Sequence, residues 1–422
     1  MQAPRNVLGL LFLSLLVASA AWAQGLPTAK PEDVGMSTQR LARVTEVFKS
    51  LVNEGRIAGA VMLVARNGKV VYYEALGKAD PVAGTPMAKD SIFRIYSMTK
   101  PFTSMAVMLL VEEGKLVLTD PVSKYLPQLA KRPVGVEKPG PDGKPTLVME
   151  PARREMMVQD LLRHTSGLTY GVFGKSLVKD QYKAVGADAE DITNAELIER
   201  LAKVPLAFHP GSTWEYSRST DVLGRLVEVV SGKPFSKFLS ERIFGPLKLK
   251  DTAFHVPQGN LARLAQAGLD PDTKQVPALL DVTKPPTYEA GGQGLVSTAQ
   301  DYVRLAQLFL NGGELDGVRL LGRKTVELMT ADHLEPAMVQ NSVTYLPGPG
   351  AGFGLGFAVR REAGVWPALG SAGDYSWSGL GGTTFWVDPK ERLIGILMTQ
   401  APFQRNYTRN LFRNLVLQAV VK

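Results

Sequence analysis

A serine followed three residues later by a lysine occurs at two places in this 422-residue chain, Ser97–Lys100 and Ser176–Lys179. Residues i and i+3 share a face of a helix, so the lysine can reach the serine hydroxyl. A serine hydroxyl becomes a strong nucleophile when a neighbour takes its proton, and a lysine can do so because burial lowers the pKa of an ammonium. The four-residue pattern alone is equally compatible with an N-cap serine and a surface lysine.

The residues that follow the two copies differ in polarity. After Ser97 comes an apolar run at helical spacing that Gly114 ends, which predicts a buried helix over 97–113. Its apolar positions are Met98, Pro101, Phe102, Met105, Ala106, Leu109 and Leu110. Residues 180–183 after the second copy are polar, and we interpret that copy as surface. Ser97 is therefore the candidate nucleophile and Lys100 its candidate base.

Tyr216 is a second candidate for proton transfer. It lies within Trp214–Arg218, directly before a predicted helix over 219–231. A tyrosine beside a lysine ammonium ionises more easily than usual and can serve as a base or proton shuttle. The alternative is a packed aromatic ring whose hydroxyl is hydrogen bonded. Since the two groups would titrate as a coupled pair, the sequence leaves open which of Lys100 and Tyr216 is deprotonated at rest.

The third candidate segment is Trp377-Ser378-Gly379-Leu380, which precedes a predicted strand over 383–387. Glycine has no side chain, so a substrate carbonyl can approach the backbone closely there. A backbone N–H of this segment, together with that of Ser97, would form an oxyanion hole. A plain turn that leads into a strand is the alternative interpretation.

Other chemistries have less support. The chain has no cysteine, which excludes thiol nucleophiles and disulfides, and it has no G-x-S-x-G nucleophile motif. None of the four histidines has a second histidine at metal-binding spacing, and we predict neither a metal nor another cofactor. His164 could belong to a Ser-His-Asp triad, but a structural histidine is the alternative. The net charge of +8 comes from scattered Lys and Arg, so we predict no nucleic-acid partner.

The pattern of apolar residues predicts strands at both ends of the chain and helices between them. Two β-rich runs, 60–66 and 69–74, flank Asn67-Gly68, which is typical of a tight hairpin. Helices are predicted over 36–55 and 406–420, and strands over 353–359, 383–387 and 392–399. We therefore predict an α/β domain of residues 24–120 and 290–422 that share one sheet. Residues 121–289 would form a mainly helical domain with loops.

The N-terminus has the pattern of a secretory signal. Arg5 precedes the apolar run Val7–Val17, and Ala21-Trp22-Ala23 fits a cleavage site. We expect residues 1–23 to be a cleaved signal peptide and the mature protein to be exported, periplasmic or secreted, without a stable membrane span. The oligomeric state cannot be read from the sequence.

Taken together, these segments resemble the serine β-lactamase and penicillin-binding protein superfamily, above all class C β-lactamases and family VIII carboxylesterases. The similarity runs from about Pro31 to the final helix. It includes Phe93–Lys100, Leu161–Leu168, Asp221–Gly224 and Phe385–Pro389. The resemblance implies an α/β sandwich with a mainly antiparallel sheet and an all-helical domain beside it.

The resemblance also implies roles for the site residues. Ser97 would be acylated and then released by water, while Lys100 and Tyr216 share the general-base and general-acid work. The N–H groups of Ser97 and Leu380 would hold the oxyanion. Trp377, Ser378 and Gly379 would line the substrate site.

Two departures from the lactamase pattern bear on the substrate. Arg218 stands where the Tyr-x-Asn element has asparagine, and Trp377 stands where the Lys-Thr-Gly element has lysine. Arg218 would then belong to the substrate-binding residues. The missing groups help to hold a β-lactam, whereas a tryptophan provides an apolar wall. We therefore predict a carboxylesterase for short-chain esters with weak β-lactam hydrolysis. A β-lactamase or D-alanyl-D-alanine peptidase is the alternative, and a non-catalytic acylated binder or sensor is a third.

Overall fold

The computed structural model describes residues 25–422, so the predicted signal peptide at 1–23 lies outside the described residues. The strands in this range are β1 (Gly59–Arg66), β2 (Lys69–Asp80), β3 (Thr85–Pro86), β4 (Phe93–Arg94), β5 (Pro133–Pro139), β6 (Pro145–Pro151), β7 (Val296–Ser297), β8 (Glu314–Leu315), β9 (Val318–Arg319), β10 (Ala351–Phe353), β11 (Ala358–Arg360), β12 (Tyr375–Ser378), β13 (Thr384–Asp388) and β14 (Leu393–Thr399). The α-helices are α1 (Thr38–Asn53), α2 (Lys100–Glu112), α3 (Val158–Leu162), α4 (Leu177–Ala184), α5 (Asn194–Leu201), α6 (Ser219–Ser231), α7 (Phe235–Leu239), α8 (Ala299–Leu310), α9 (Arg323–Thr330), α10 (Pro336–Gln340) and α11 (Arg405–Leu417).

Eight strands form one antiparallel sheet in the order β10-β11-β12-β13-β14-β1-β2-β3. Strand β14 pairs with β1 in a register that places Val61 opposite Met398, so strands from the two ends of the chain are neighbours. The hairpin between β1 and β2 turns at Asn67 and Gly68, whose φ angles of 52° and 75° are those of the predicted tight turn. The hairpin prediction is confirmed.

Both faces of the sheet are covered. Successive side chains of β1 point alternately into two apolar cores, one on each face. Val61 and Leu63 point into the larger apolar core, while Met62 and Val64 point into a second core on the opposite face. Helices α1 and α11 cover the second face, where Phe48 and Phe412 meet edge to face with centroids 5.9 Å apart. Helices α2 and α8 belong to the larger core. The predicted sandwich of sheet and helices is therefore confirmed.

Helices α3 to α7 lie between strands β4 and β7 in the chain, together with a hairpin of β5 and β6. Helix α6 matches its prediction over 219–231, and the Pro- and Gly-rich stretch at 133–145 belongs to the hairpin. Helix α2 and helix α6 pack against each other, so the helical region joins the sheet at the segment that carries Lys100.

Two sequence predictions are wrong in detail, and one helix was missed. The strand predicted over 353–359 is two strands, β10 and β11, because the chain reverses between Phe353 and Ala358. Helix α4 was missed, although Val178 and Tyr182 are buried on one side of it. Ser97 lies on a short 3₁₀ turn, Tyr96–Thr99, that leads into α2, and not in the α-helix itself. None of the helices between residues 25 and 422 is long and apolar enough to cross a membrane.

Candidate active site

The nucleophile candidate lies where the sheet meets the helical region. The first eleven residues of α2, from Lys100 to Leu110, are all buried, so the core holds this helix rigidly behind the turn that carries Ser97. Neither the turn nor α2 has a side-chain N-cap, so no helix end uses the Ser97 hydroxyl as a cap. That hydroxyl opens into a cavity of about 280 Å³.

Two proton-bearing groups meet at the Ser97 hydroxyl. The Tyr216 O–H donates to Ser97 Oγ at 2.6 Å, and the Lys100 ammonium lies 3.3 Å from the same oxygen. The ammonium also stands 4.4 Å from the centroid of the Tyr216 ring, whose face attracts a cation. The structure thus brings together the three residues that the sequence singled out for proton transfer and nucleophilic attack.

Lys100 is fully buried and is held from behind. Its ammonium donates to the carbonyl of Gly292 at 2.8 Å, and the N–H of Gly292 donates to the Asp221 carboxylate at 2.9 Å. Across residues 25–422 the ammonium forms no ion pair, so no carboxylate competes with Ser97 for it. Sequence reasoning missed Gly292, although two adjacent glycines at 291–292 were a visible signal of close backbone approach.

His164 packs against Tyr216 and forms no hydrogen bond with Ser97 in the part of the chain that the structure describes. Its ring centroid is 4.9 Å from that of Tyr216, and its Nδ1 is hydrogen bonded to Ser217 Oγ at 3.1 Å. Burial and, to a smaller extent, the charge of Lys100 lower the pKa of His164 well below its usual value. A neutral imidazole in this position supports the tyrosine ring and disfavours the Ser-His-Asp alternative.

The predicted substrate segment forms the end of β12 and the turn after it. The Trp377 indole N–H donates to the Tyr216 hydroxyl at 3.3 Å, and Ser378 Oγ is hydrogen bonded to Thr384 Oγ1 at 2.8 Å. A Cβ on Gly379 would lie 2.3 Å from the carbonyl oxygen of Ile95, so only glycine allows this strand to pass so close to the nucleophile turn.

Two backbone N–H groups at the cavity donate no hydrogen bond within residues 25–422. In the part of the chain that the structure describes, neither the Ser97 N–H nor the Leu380 N–H has a hydrogen-bond acceptor, although the neighbouring Gly379 N–H donates to Thr383 at 2.9 Å. Ser97 and Leu380 both line the cavity. Unpaired donors beside a nucleophile are the arrangement that an oxyanion requires.

Arg218 does not line the cavity, unlike the other predicted substrate residues. Its buried guanidinium donates to Asp188 at 2.8 Å and lies 3.5 Å from Asp221, and it packs over the Tyr170 ring. Since Asp221 also holds Gly292, Arg218 is linked to Lys100 only through other groups. The sequence showed an arginine in place of asparagine but could not show that two carboxylates surround it.

Sequence reasoning missed a cationic wall of the same cavity. Arg405 and Arg409, one turn apart at the start of α11, line it together with Asn406. The Arg409 guanidinium donates to the Gly379 carbonyl, while its buried Nε has no partner among the described residues. Burial and then the charge of Arg405 lower the pKa of Arg409 to about 9, which leaves the group charged at neutral pH. The positive charge of Arg405 and Arg409 would attract an anion that entered the cavity.

The fold and these contacts define a serine hydrolase of the β-lactamase fold. Residues 25–422 contain no cluster of His, Asp and Glu that could hold a metal ion.

Comparisons with known proteins agree with this class. A family model described as Beta-lactamase matches residues 44–418. Esterase EstB from Burkholderia gladioli is 32% identical over 383 residues, which cover 86% of this chain and 91% of the relative. Protein Rv1367c from Mycobacterium tuberculosis (strain ATCC 25618 / H37Rv) is 36% identical over 367 residues, with 84% and 88% covered.

Among solved structures, that of EstCE1, described as a hydrolase with promiscuous acyltransferase activity, superposes with a TM-score of 0.75. It is 28% identical, and the match covers 91% of this chain and 99% of that chain. This protein therefore belongs to the Beta-lactamase family, and the resemblance predicted from its motifs is confirmed.

Proposed function

We propose that the protein is a carboxylesterase that hydrolyses short-chain esters through an acyl-enzyme on Ser97. The observation that carries the proposal is the pair of contacts at Ser97 Oγ, from Tyr216 at 2.6 Å and Lys100 at 3.3 Å, beside an apolar wall that includes Trp377. The esterase name of the Burkholderia gladioli relative supports the same substrate class.

Acylation uses the two proton-bearing groups in turn. Whichever of Tyr216 and Lys100 is deprotonated takes the Ser97 proton as Oγ attacks the ester carbonyl carbon. The carbonyl oxygen becomes an oxyanion, which the N–H groups of Ser97 and Leu380 stabilise. When the intermediate collapses, the C–O bond to the alcohol breaks and the alkoxide takes one proton from the Tyr216 and Lys100 pair, which returns to its starting protonation state.

Deacylation repeats the same steps with water. Water gives a proton to the Tyr216 and Lys100 pair and attacks the acyl carbon, and the bond to Ser97 Oγ breaks. The acid leaves, and Ser97 Oγ regains its proton. Because Gly292 and the Tyr216 ring hold the Lys100 ammonium in place, the pair keeps its geometry through both half-reactions.

A second candidate function, hydrolysis of a β-lactam or of a D-alanyl-D-alanine peptide, is favoured by Arg409. Both substrates carry a carboxylate near the bond that breaks. Arg409 lines the cavity beside Arg405, and the positive charge of the two guanidinium groups would attract such a carboxylate. The esterase proposal ranks first because the position of the Lys-Thr-Gly lysine holds Trp377, which contacts Tyr216 instead of presenting a charge.

A side-by-side assay tests the proposal. We expect the purified protein to hydrolyse p-nitrophenyl butyrate with multiple turnovers and with a kcat/KM above that for a chromogenic cephalosporin. A cephalosporin kcat/KM far above the ester value would overturn the esterase proposal and establish the second candidate. A single burst equal to the enzyme concentration on both substrates would instead show an acylated binder or sensor.

A further inference from the structure

The second Ser-x-x-Lys copy is linked to the cavity through its lysine. Helix α4 begins after Ser176, whose Oγ accepts the backbone N–H of Lys179 at 3.1 Å. The Lys179 ammonium reaches back over this helix end and donates to the carbonyl of Phe173 at 2.6 Å. The lysine side chain is only 15% exposed, so this contact is better shielded from water than an ordinary surface pair.

Phe173 forms an outer wall of the cavity that Ser97 shares. Its ring centroid lies 6.1 Å from that of Tyr216 and 5.3 Å from that of Tyr170. The residue is nevertheless 41% exposed. One side of the ring therefore packs towards Tyr216 at the cavity, and another faces solvent.

Lys179 also connects the Phe173 segment to the segment that carries Tyr216. Its ammonium pairs with Glu215 at 3.1 Å, and the same carboxylate accepts the Thr169 hydroxyl. Thr169 and Lys179 flank the loop that carries Phe173, and both bind the Glu215 carboxylate. Because Glu215 directly precedes Tyr216 in the chain, this carboxylate connects both ends of the loop to the segment that carries Tyr216. The contact between Lys179 and the Phe173 carbonyl is thus one of several connected hydrogen bonds that also include Glu215 and Thr169.

We propose that Lys179 is a positioning residue that fixes Phe173, and that Phe173 limits the length of the apolar chain that the cavity admits. The ligand class is an uncharged alkyl or aryl chain of an ester, in either its acyl or its alcohol half. The inference rests on the proposed esterase function. It gives the lysine of the second copy a role in specificity and none in proton transfer.

The test compares two ester series on four variants of the full chain. The acyl series is p-nitrophenyl butyrate against p-nitrophenyl octanoate, and the alcohol series is methyl against hexyl butyrate, followed by pH-stat. The variants are Phe173→Ala, Lys179→Met, Lys179→Arg and the control Lys183→Met. Lys183 lies one turn further along α4 and pairs with Asp180 at 3.6 Å, so its substitution removes the same charge from the same helix.

We expect the long-to-short ratio of kcat/KM to rise by about tenfold in Phe173→Ala in at least one series, the scale of discrimination by one or two methylene groups. Lys179→Met should raise the ratio in the same series, while Lys179→Arg and the control keep the wild-type ratio. A purely structural role of Lys179 would lower the thermal midpoint and total activity without changing the ratio.

The outcomes separate the two proposals. If the wild type hydrolyses neither series, the proposed function and this inference both fail. If it hydrolyses butyrate but Phe173→Ala leaves both ratios unchanged, only the inference fails. An equal change in the Lys183→Met control would assign the effect to charge and overturn the role of Lys179. Should Lys179→Met not fold, the ratio in Phe173→Ala and its retention in Lys179→Arg decide.

Discussion

The two Ser-x-x-Lys copies share a pattern but differ in what each hydroxyl and each ammonium contact. The Ser97 hydroxyl caps no helix and receives Tyr216 and Lys100, whereas the Ser176 hydroxyl caps α4 by accepting the N–H of Lys179. The Lys100 ammonium has no carboxylate partner among residues 25–422, while that of Lys179 pairs with Glu215. Only the first copy has a hydroxyl and an ammonium available to each other.

The difference follows from the helices behind the two copies. Helix α2 lies in the core with eleven successive buried residues, so Lys100 cannot turn to solvent and stays over Tyr216. Helix α4 buries only Val178 and Tyr182, and the partly buried Lys179 side chain bends back to a backbone carbonyl and a carboxylate. The buried helix thus keeps Lys100 at Ser97, whereas the more exposed helix leaves Lys179 to structural contacts.

The sharpest way to break the comparison is to remove the first hydroxyl. Ser97→Ala should lower kcat for p-nitrophenyl butyrate by at least about 10⁴-fold, because no covalent intermediate can form. Its free energy of unfolding should stay within about 0.5 kcal/mol of wild type, since the hydroxyl caps no helix. Steady-state kinetics and urea unfolding measure the two effects. Retention of most of the activity would show that Ser97 is not the nucleophile.

Tyr216→Phe tests the proton transfer between Ser97 of the first copy and the tyrosine that contacts it. The phenyl ring keeps the contacts with His164 and Trp214, but the hydroxyl that bonds Ser97 Oγ is lost. We expect kcat to fall by about 10² to 10⁴-fold, the usual contribution of general acid–base catalysis. The measurement is kcat of wild type and variant, after circular dichroism has shown that both proteins are folded. A loss of only a few fold would assign the base role to Lys100 alone.

The sequence predicted well those features that depend on neighbouring residues. Asn67-Gly68 fixed the hairpin, and the apolar spacing of 219–231 fixed α6, because turn chemistry and helix periodicity are local. Ser97, Lys100 and Tyr216 were selected as candidates for a similar reason, because the residues next to them in the chain form distinctive short motifs.

Features set by long-range packing were not predictable. Arg409 reaches Gly379 from α11, a distant part of the chain, and Phe173 lies against Tyr216 although it stands 43 positions earlier in the chain. Arg218 was expected at the substrate, but Asp188, thirty residues earlier, holds it inside the helical region. No pattern within one segment shows which distant carboxylate will neutralise an arginine.

A pH experiment tests how strongly the buried region around Tyr216, which includes His164, excludes charge. Because the pKa of His164 is lowered in the folded state, the unfolded state takes up a proton first as the pH falls below about 6.5. The stability that His164 contributes is then lost by up to about 1.4 kcal/mol per pH unit until the folded pKa is reached.

Asp301 acts in the opposite direction, since burial raises its pKa to about 6 and the folded state binds that proton more tightly. The His164→Asn variant isolates the histidine, and asparagine suits the positive φ of 59° at this position. We expect the difference in unfolding free energy between wild type and variant to shrink from pH 6.5 to pH 5. A difference that does not change with pH would show that His164 titrates normally in the fold.

The smallest expected effect concerns the second hydroxyl. Ser176→Ala removes the N-cap of α4, which should cost about 1 kcal/mol in urea unfolding, while kcat/KM for p-nitrophenyl butyrate stays within about twofold. Ser176→Asn restores a capping oxygen and should recover the stability. A large loss of activity in Ser176→Ala would mean that the cap sets the position of Lys179 so strictly that the two copies act as one unit. Since the Lys179 ammonium is held separately by Phe173 and Glu215, we expect the helix end to loosen without moving the cavity wall.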